Sequence, residues 1–241
     1  METAPVFADV SDTPMFRQRV VELQHGVDIL KEGCGKLAKQ AAKYCEELEG
    51  SAKVNEGFSR ALVAFCSAGS DDQGELIGQN EFSKFSLVFS EIADLTRGLQ
   101  GEMVETLVEP LKNEWMGQLC TDVCEEKKQL DKKTAAYDFA KLKYLGLRKV
   151  TKKEVVKRTE EELNKAKAEA DEARYCMARK LTEVELRKYY EFLGMMAACM
   201  ESQLQFFEKG YTVLKEMEPL IQTSKEMVNN RQQRMKANMA R

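Results

Sequence analysis

The chain has 241 residues, 37 basic and 40 acidic side chains, a formal net charge of -3 and a single histidine, His25. One histidine removes most acid–base and nucleophilic arrangements, so an enzyme is not expected, and no apolar run approaches the ~20 residues of a membrane-spanning helix. The opening METAPVFADVSDTP has neither the cationic start nor the apolar stretch of a signal peptide. Seven cysteines, an odd number, do not suggest a disulfide framework in a chain of this length. A cytoplasmic protein with structural cysteines is expected.

With four prolines, 32% charged and 43% hydrophobic residues, the chain permits long amphipathic helices nearly everywhere. Asp12 and Thr13 followed by Pro14 predict the first helix start. Apolar or small residues then recur at Phe16, Val20, Leu23, Val27, Leu30, Cys34, Leu37, Ala41, Tyr44 and Leu48. Steps of four and three alternate throughout, the repeat of a coiled-coil seam. Phe58, Leu62 and Phe65 continue it, and the glycine-containing stretch GSDDQGELIGQN, residues 69–80, predicts a loop.

The second predicted helix buries Phe82, Phe85, Phe89, Ile92, Leu95, Leu99, Met103, Leu107 and Leu111, with Leu130, Tyr137, Leu142 and Leu145 extending the stripe. Pro110 falls inside this pattern, so a bend is expected there and not a stop. Gly146 opens a short turn, residues 146–153, into a third helix running antiparallel. Its stripe passes through Leu163, Ala166, Ala170, Ala173, Met177, Leu181, Val184, Phe192, Met196, Cys199, Phe207, Tyr211 and Leu214. Residues 1–13 are expected to be a flexible segment, 14–221 the coiled coil, and 222–241 a polar extension, frayed or linker-like. The first helix is shorter than the other two, so the 146–153 turn should cap a two-helix arm overshooting by ~20 Å at the end of a rod ~100 Å long.

That arm is cationic. Residues 127–158 hold Lys127, Lys128, Lys132, Lys133, Lys141, Lys143, Arg148, Lys149, Lys152, Lys153, Lys157 and Arg158 against Asp131, Asp138 and Glu154, a net of +9 that leaves the rest of the chain at -12. A solvated helix face is the plain alternative, but anions are scarce here and the cations span both sides of the hairpin. No nucleic-acid-binding module is recognisable, so nucleic acid is not an expected partner. An anionic membrane asks only for clustered charge within a Debye length of ~8 Å, and suits the segment better. Cys120 and Cys124 lie one helical turn apart without a second ligand pair, so neither metal nor cofactor is expected. GCG at residues 33–35 sits within the heptads and lacks a phosphate-loop context, which favours close helix packing. Phe82, Phe85 and Phe89 follow helical spacing and read as core.

Four stretches in this order resemble the BAR domain found at the N-terminus of ACAP-like Arf GTPase-activating proteins. They are DTPMFRQ (12–18), KKQLDKKTAAYDFAKLKYLGLRKVTKK (127–153), EEELNKAKAEADEAR (160–174) and FFEKGYTVLKEMEPLI (206–221). The resemblance covers roughly residues 12–221 and implies an all-α fold, an elongated antiparallel three-helix coiled coil that dimerises into a crescent. It implies binding of curved, anionic, phosphoinositide-containing membranes in vesicle trafficking, peripheral on endosomal, trans-Golgi or plasma membrane. On this resemblance Lys127, Lys128, Lys132, Lys133, Lys141 and Lys143 fall on the concave face, while Arg148, Lys149, Lys152 and Lys153 fall at the tip. Pro110 falls near the bend. Such proteins continue into PH, zinc-finger catalytic and ankyrin domains, and this sequence to Arg241 carries no zinc-finger cysteine pattern. The N-terminal segment, bearing Glu2, Asp9 and Asp12 without a cation, makes a poor inserted helix, so curvature is expected to come from scaffold shape. A small-GTPase-binding coiled coil, by analogy with the arfaptin branch, and a tethering coiled coil are the alternatives.

Overall fold

A computed structural model of the protein describes residues 6–7, 9–67, 79–148 and 152–239. Regular structure among them is helical throughout: α1 (Pro14–Ser67), α2 (Gln79–Met103), α3 (Cys120–Leu145), α4 (Lys153–Glu216) and α5 (Glu218–Met239). Two π-helical segments, Val104–Val108 and Pro110–Leu119, join α2 to α3. Most of the expected 69–80 loop lies outside the described residues, as do Lys149, Val150 and Thr151 of the turn.

Local chemistry sets the ends. Thr13 Oγ1 accepts the Phe16 N–H at 3.1 Å and so caps α1. Asp12 instead receives the Arg17 guanidinium at 2.7 and 2.8 Å. Gly146 closes α3 by donating its N–H to the Leu142 carbonyl at 3.0 Å. Met217 separates α4 from α5, where Pro219 in the first turn of α5 has no N–H to continue the preceding helix. α5 buries none of its side chains.

At Pro110 the chain stays helical, but through a wider winding. The Cys120 N–H reaches back five residues to the Trp115 carbonyl. Such winding moves the carbonyl one turn back away from the proline ring, and so tolerates a residue that clashes within an α-helix. It also resets the buried face. Met103, Leu107, Leu111, Trp115 and Leu119 are all buried, in even steps of four. In a straight α-helix each such step would rotate about 40° further off the face. Because an i→i+5 helix turns less per residue, all five stay inward.

The chain divides into two compact units, residues 1–39 with 109–195 and residues 40–108 with 196–241. In the first, α1 packs Phe16, Val20, Leu23, Val27 and Cys34 into a core shared with Leu111, Trp115, Val123, Met177, Leu181 and Val184. The Trp115 ring lies 4.5 Å from Phe192, and the Arg187 guanidinium stacks 5.7 Å from its centroid. A Cβ on Gly35 would meet only the end of the Met116 side chain at 3.4 Å, an ordinary contact, and one on Gly33 would meet nothing within 4 Å, so packing here does not require the glycines of GCG. In the second unit, Ser59 Oγ donates to the Ser86 carbonyl at 2.7 Å, Phe58 meets Phe89 edge-on at 4.8 Å, and Arg97 pairs with Glu56 at 2.6 Å.

Three stripes depart from the sequence expectation. Along α1 the buried seam runs Val27, Cys34, Ala38, Ala41, Cys45 and Ala52, with half-buried Leu30 between the first two, so two successive steps of four at Leu30–Cys34–Ala38 shift it by one residue. Leu37 and Tyr44, expected in the seam, are consequently exposed. This is a stutter, which relieves the drift between a 3.5-residue repeat and a 3.6-residue helix. On the C-terminal half of α4, Met196, Phe207, Tyr211 and Leu214 are expected in the core and are exposed, because no element among the described residues covers that face. Leu142 and Leu145 are likewise exposed at the end of α3.

Candidate membrane-binding surface

The cationic segment lies wholly within the first unit. α1 begins beside α3 and α4: a cavity of about 170 Å³ is lined by Asp12, Phe16 and Arg17 together with Lys127, Leu130, Thr134 and Arg174. Residues 9–12 lie along Tyr137, Asp138 and Lys141 of α3 and Lys167 and Asp171 of α4. Farther out, among the described residues, α3 and α4 pair alone. This is the two-helix arm, and it explains why Leu142 and Leu145 lack the cover that α1 gives Leu130.

Within the arm the twelve cations fall into distinct groups. Lys127 pairs with Asp131 on its own helix, and Lys133 bridges to Glu169 on α4. Lys143 and Arg158 converge on Glu162 at 2.6 and 3.3 Å. The hydrogen bond from Lys143, together with the Lys143 and Arg158 charges, holds the Glu162 carboxyl below the usual carboxylate range. Lys133 does the same to Glu169, again chiefly by its hydrogen bond. These cross-helix pairs zip the arm together where no third helix is present, though exposed pairs of this kind add little stability each.

Lys128, Lys132, Lys141, Arg148, Lys152, Lys153 and Lys157 are exposed and have no carboxylate partner among the described residues. Lys141 lies 5.9 Å from the Tyr137 ring centroid. Lys149 lies outside the described residues. On α3, Lys128, Lys132 and Lys143 recur at helical spacing on the side turned away from Val123 and Leu130. Sequence reasoning missed Arg17, Lys167 and Arg174, which border the base of the arm. It also missed the restraint that Glu162 and Glu169 place on Lys143 and Lys133, since pairing across two helices is not written in local spacing. Among the described residues no group of three or more His, Cys, Asp or Glu is arranged to hold a metal. No described helix is long and apolar enough to cross a membrane.

An all-α fold of long, seamed helices is the form of a BAR domain, a membrane-curvature module. The chain belongs to the family described as BAR domain of APPL family, whose profile matches residues 8–241. Among similar proteins, ADP-ribosylation factor GTPase-activating protein AGD1 of Arabidopsis thaliana is 33% identical over 215 residues, covering 89% of this chain and 26% of that protein. AGD3 of the same plant, also an ADP-ribosylation factor GTPase-activating protein, is 32% identical over 219 residues, with 89% and 26% covered. The N-terminal I-BAR domain of D. discoideum IBARa aligns with a TM-score of 0.47 at 15% identity, over 92% of this chain and 100% of that one. The chain thus spans about a quarter of the length of the curated relatives it matches.

Proposed function

We propose that the chain is a homodimeric BAR module that adheres to curved anionic membranes, phosphoinositide-containing ones included, through its α3–α4 arm. The observation carrying this reading is the set of exposed cations without carboxylate partners among the described residues, Lys128, Lys132, Lys141, Arg148, Lys152, Lys153 and Lys157, gathered on one hairpin of an otherwise acidic chain. Near an anionic bilayer each such cation contributes ~1 kcal/mol before geometric losses. Lys127, Lys133, Lys143 and Arg158 join them when lipid phosphates replace their carboxylate partners, and Lys149 completes the tip. Residues 14–221 form the module proper, with 1–13 and 222–241 as its flanking segments. Because its relatives are named as ADP-ribosylation factor GTPase-activating proteins, the module serves such a protein at endosomal, trans-Golgi or plasma membranes, on their cytoplasmic side. The same names favour a second reading, in which a small GTPase docks on the coiled coil without direct lipid contact.

Dimerisation rests on the uncovered apolar faces. In the second unit α4 exposes Met200, Leu204, Phe207, Tyr211 and Leu214 at steps of three and four. A second copy that covers such a stripe forms a large obligate interface. Sedimentation with anionic liposomes at low salt tests the membrane reading. The protein should pellet with the vesicles and leave them as salt rises. Protein that stays in the supernatant at low salt removes the membrane reading and leaves the GTPase-binding one.

A further inference from the structure

Phe139, Leu142 and Leu145 are the three exposed large apolar side chains of α3, at 72%, 70% and 68%. Phe139 and Leu142 share a helix face with the exposed Lys132, Ala135, Ala136 and Lys143, by steps of three and four. Leu145 follows in the last turn, next to the hairpin turn that carries Arg148, Lys152 and Lys153. The end of α3 is therefore amphipathic outward: an apolar strip bordered by cations faces solvent instead of a core.

We propose that this strip is a wedge that enters the bilayer interface, seating Phe139 and Leu142 below the lipid phosphates while the flanking lysines and arginine hold those phosphates. The inference rests on the membrane reading and deepens it, because adhesion by charge alone needs no exposed phenylalanine or leucine. The occupant is identified by two properties of the patch. Three side chains expose at most a few hundred Å², well under the ~1,000 Å² that a stable protein interface buries, so the strip is too small to hold a second copy. Its rim is cationic, and Lys132, Arg148, Lys152 and Lys153 have no carboxylate partner among the described residues, so the complementary surface is anionic outside and apolar beneath. A lipid bilayer has both layers, and lysine stems of this length cover apolar surface while their ammonium groups stay at the headgroups.

The test places a reporter in the strip. Phe139→Trp in the full chain adds an exposed indole, while the native Trp115, 1% exposed, gives a constant background. With phosphatidylcholine–phosphatidylserine vesicles its emission should shift to the blue and be quenched when the acyl chains carry bromine. The triple variant Phe139→Ser, Leu142→Ser, Leu145→Ser should still bind at low salt. Its binding at high salt should fall roughly tenfold below that of the parent, since the charge-independent part has been removed. Binding without a blue shift or bromine quenching overturns the wedge and leaves electrostatic adhesion standing. No binding to these vesicles at low salt overturns both. A blue shift that depends on protein concentration without vesicles assigns the strip to a second copy, and also overturns the wedge.

Discussion

Trp115 is the largest fully buried side chain, and it sits where the helix leaves α-winding. Its ring packs on Phe192 and under Arg187, whose guanidinium is itself held by Glu191 at 2.6 Å and by Glu183 and Glu114. Trp115→Ala should destabilise the protein by ~3–5 kcal/mol in chemical denaturation, through the cavity and the lost ring contacts. Asp12 is a smaller case with a defined pH dependence. The Arg17 hydrogen bond holds its carboxyl below the usual range, against the opposing effect of burial. A carboxyl depressed in the folded state contributes its stability above its unfolded pKa and loses it as pH falls through the folded value. Asp12→Asn should therefore cost under ~1 kcal/mol at pH 7, because the pair is partly exposed. The difference in melting temperature between parent and variant should begin to shrink as pH falls below about 4 and vanish only below the depressed folded value. The structural role of the cysteines was legible from their number: burial raises the Cys34 thiol to about 11, which keeps it protonated and unreactive at neutral pH.

At the scale of elements, the helices were readable from spacing because a long apolar repeat has few other uses. The cap at Thr13, the closure at Gly146 and the continuation through Pro110 follow from the same local chemistry. What spacing did not reveal is the winding. Trp115 and Leu119 fall off an α-helical stripe drawn through Leu111, and only an i→i+5 segment brings them inward. Ala38, Cys45 and Ala52 are too small to compete with Leu37 and Tyr44 as apolar markers, so the stutter was invisible. The arm was legible in the helix lengths and its charge in the composition of residues 127–158, but the partners Glu162 and Glu169 were not. Replacing both by Gln should free Lys143, Arg158 and Lys133 and strengthen binding to anionic vesicles, by up to ~1 kcal/mol per released cation. Conversely, Arg148→Glu, Lys149→Glu, Lys152→Glu and Lys153→Glu together should remove up to ~4 kcal/mol per arm and abolish liposome binding. Helix content in circular dichroism should stay unchanged, since Arg148, Lys152 and Lys153 are exposed.

At the scale of the whole molecule, the account rests on two arms working together. A pair of linked weak contacts binds far better than either alone when one body spans both sites. In the proposed dimer, the exposed stripe Met200, Leu204, Phe207, Tyr211 and Leu214 is the surface that joins the two chains. Light scattering at micromolar concentration should give twice the 27.4 kDa of one chain. Leu204→Glu with Phe207→Glu should give the single mass and weaken vesicle binding much more than it changes helix content. Loss of one tip in a mixed dimer should be milder than loss of both. The central claim is that this dimer reads curvature as well as charge, which no single arm can do. The most direct test compares small and large anionic vesicles of one composition at equal lipid area and low salt. The account predicts that the small vesicles retain more protein; equal retention at both sizes would leave an electrostatic coiled coil and contradict the curvature claim.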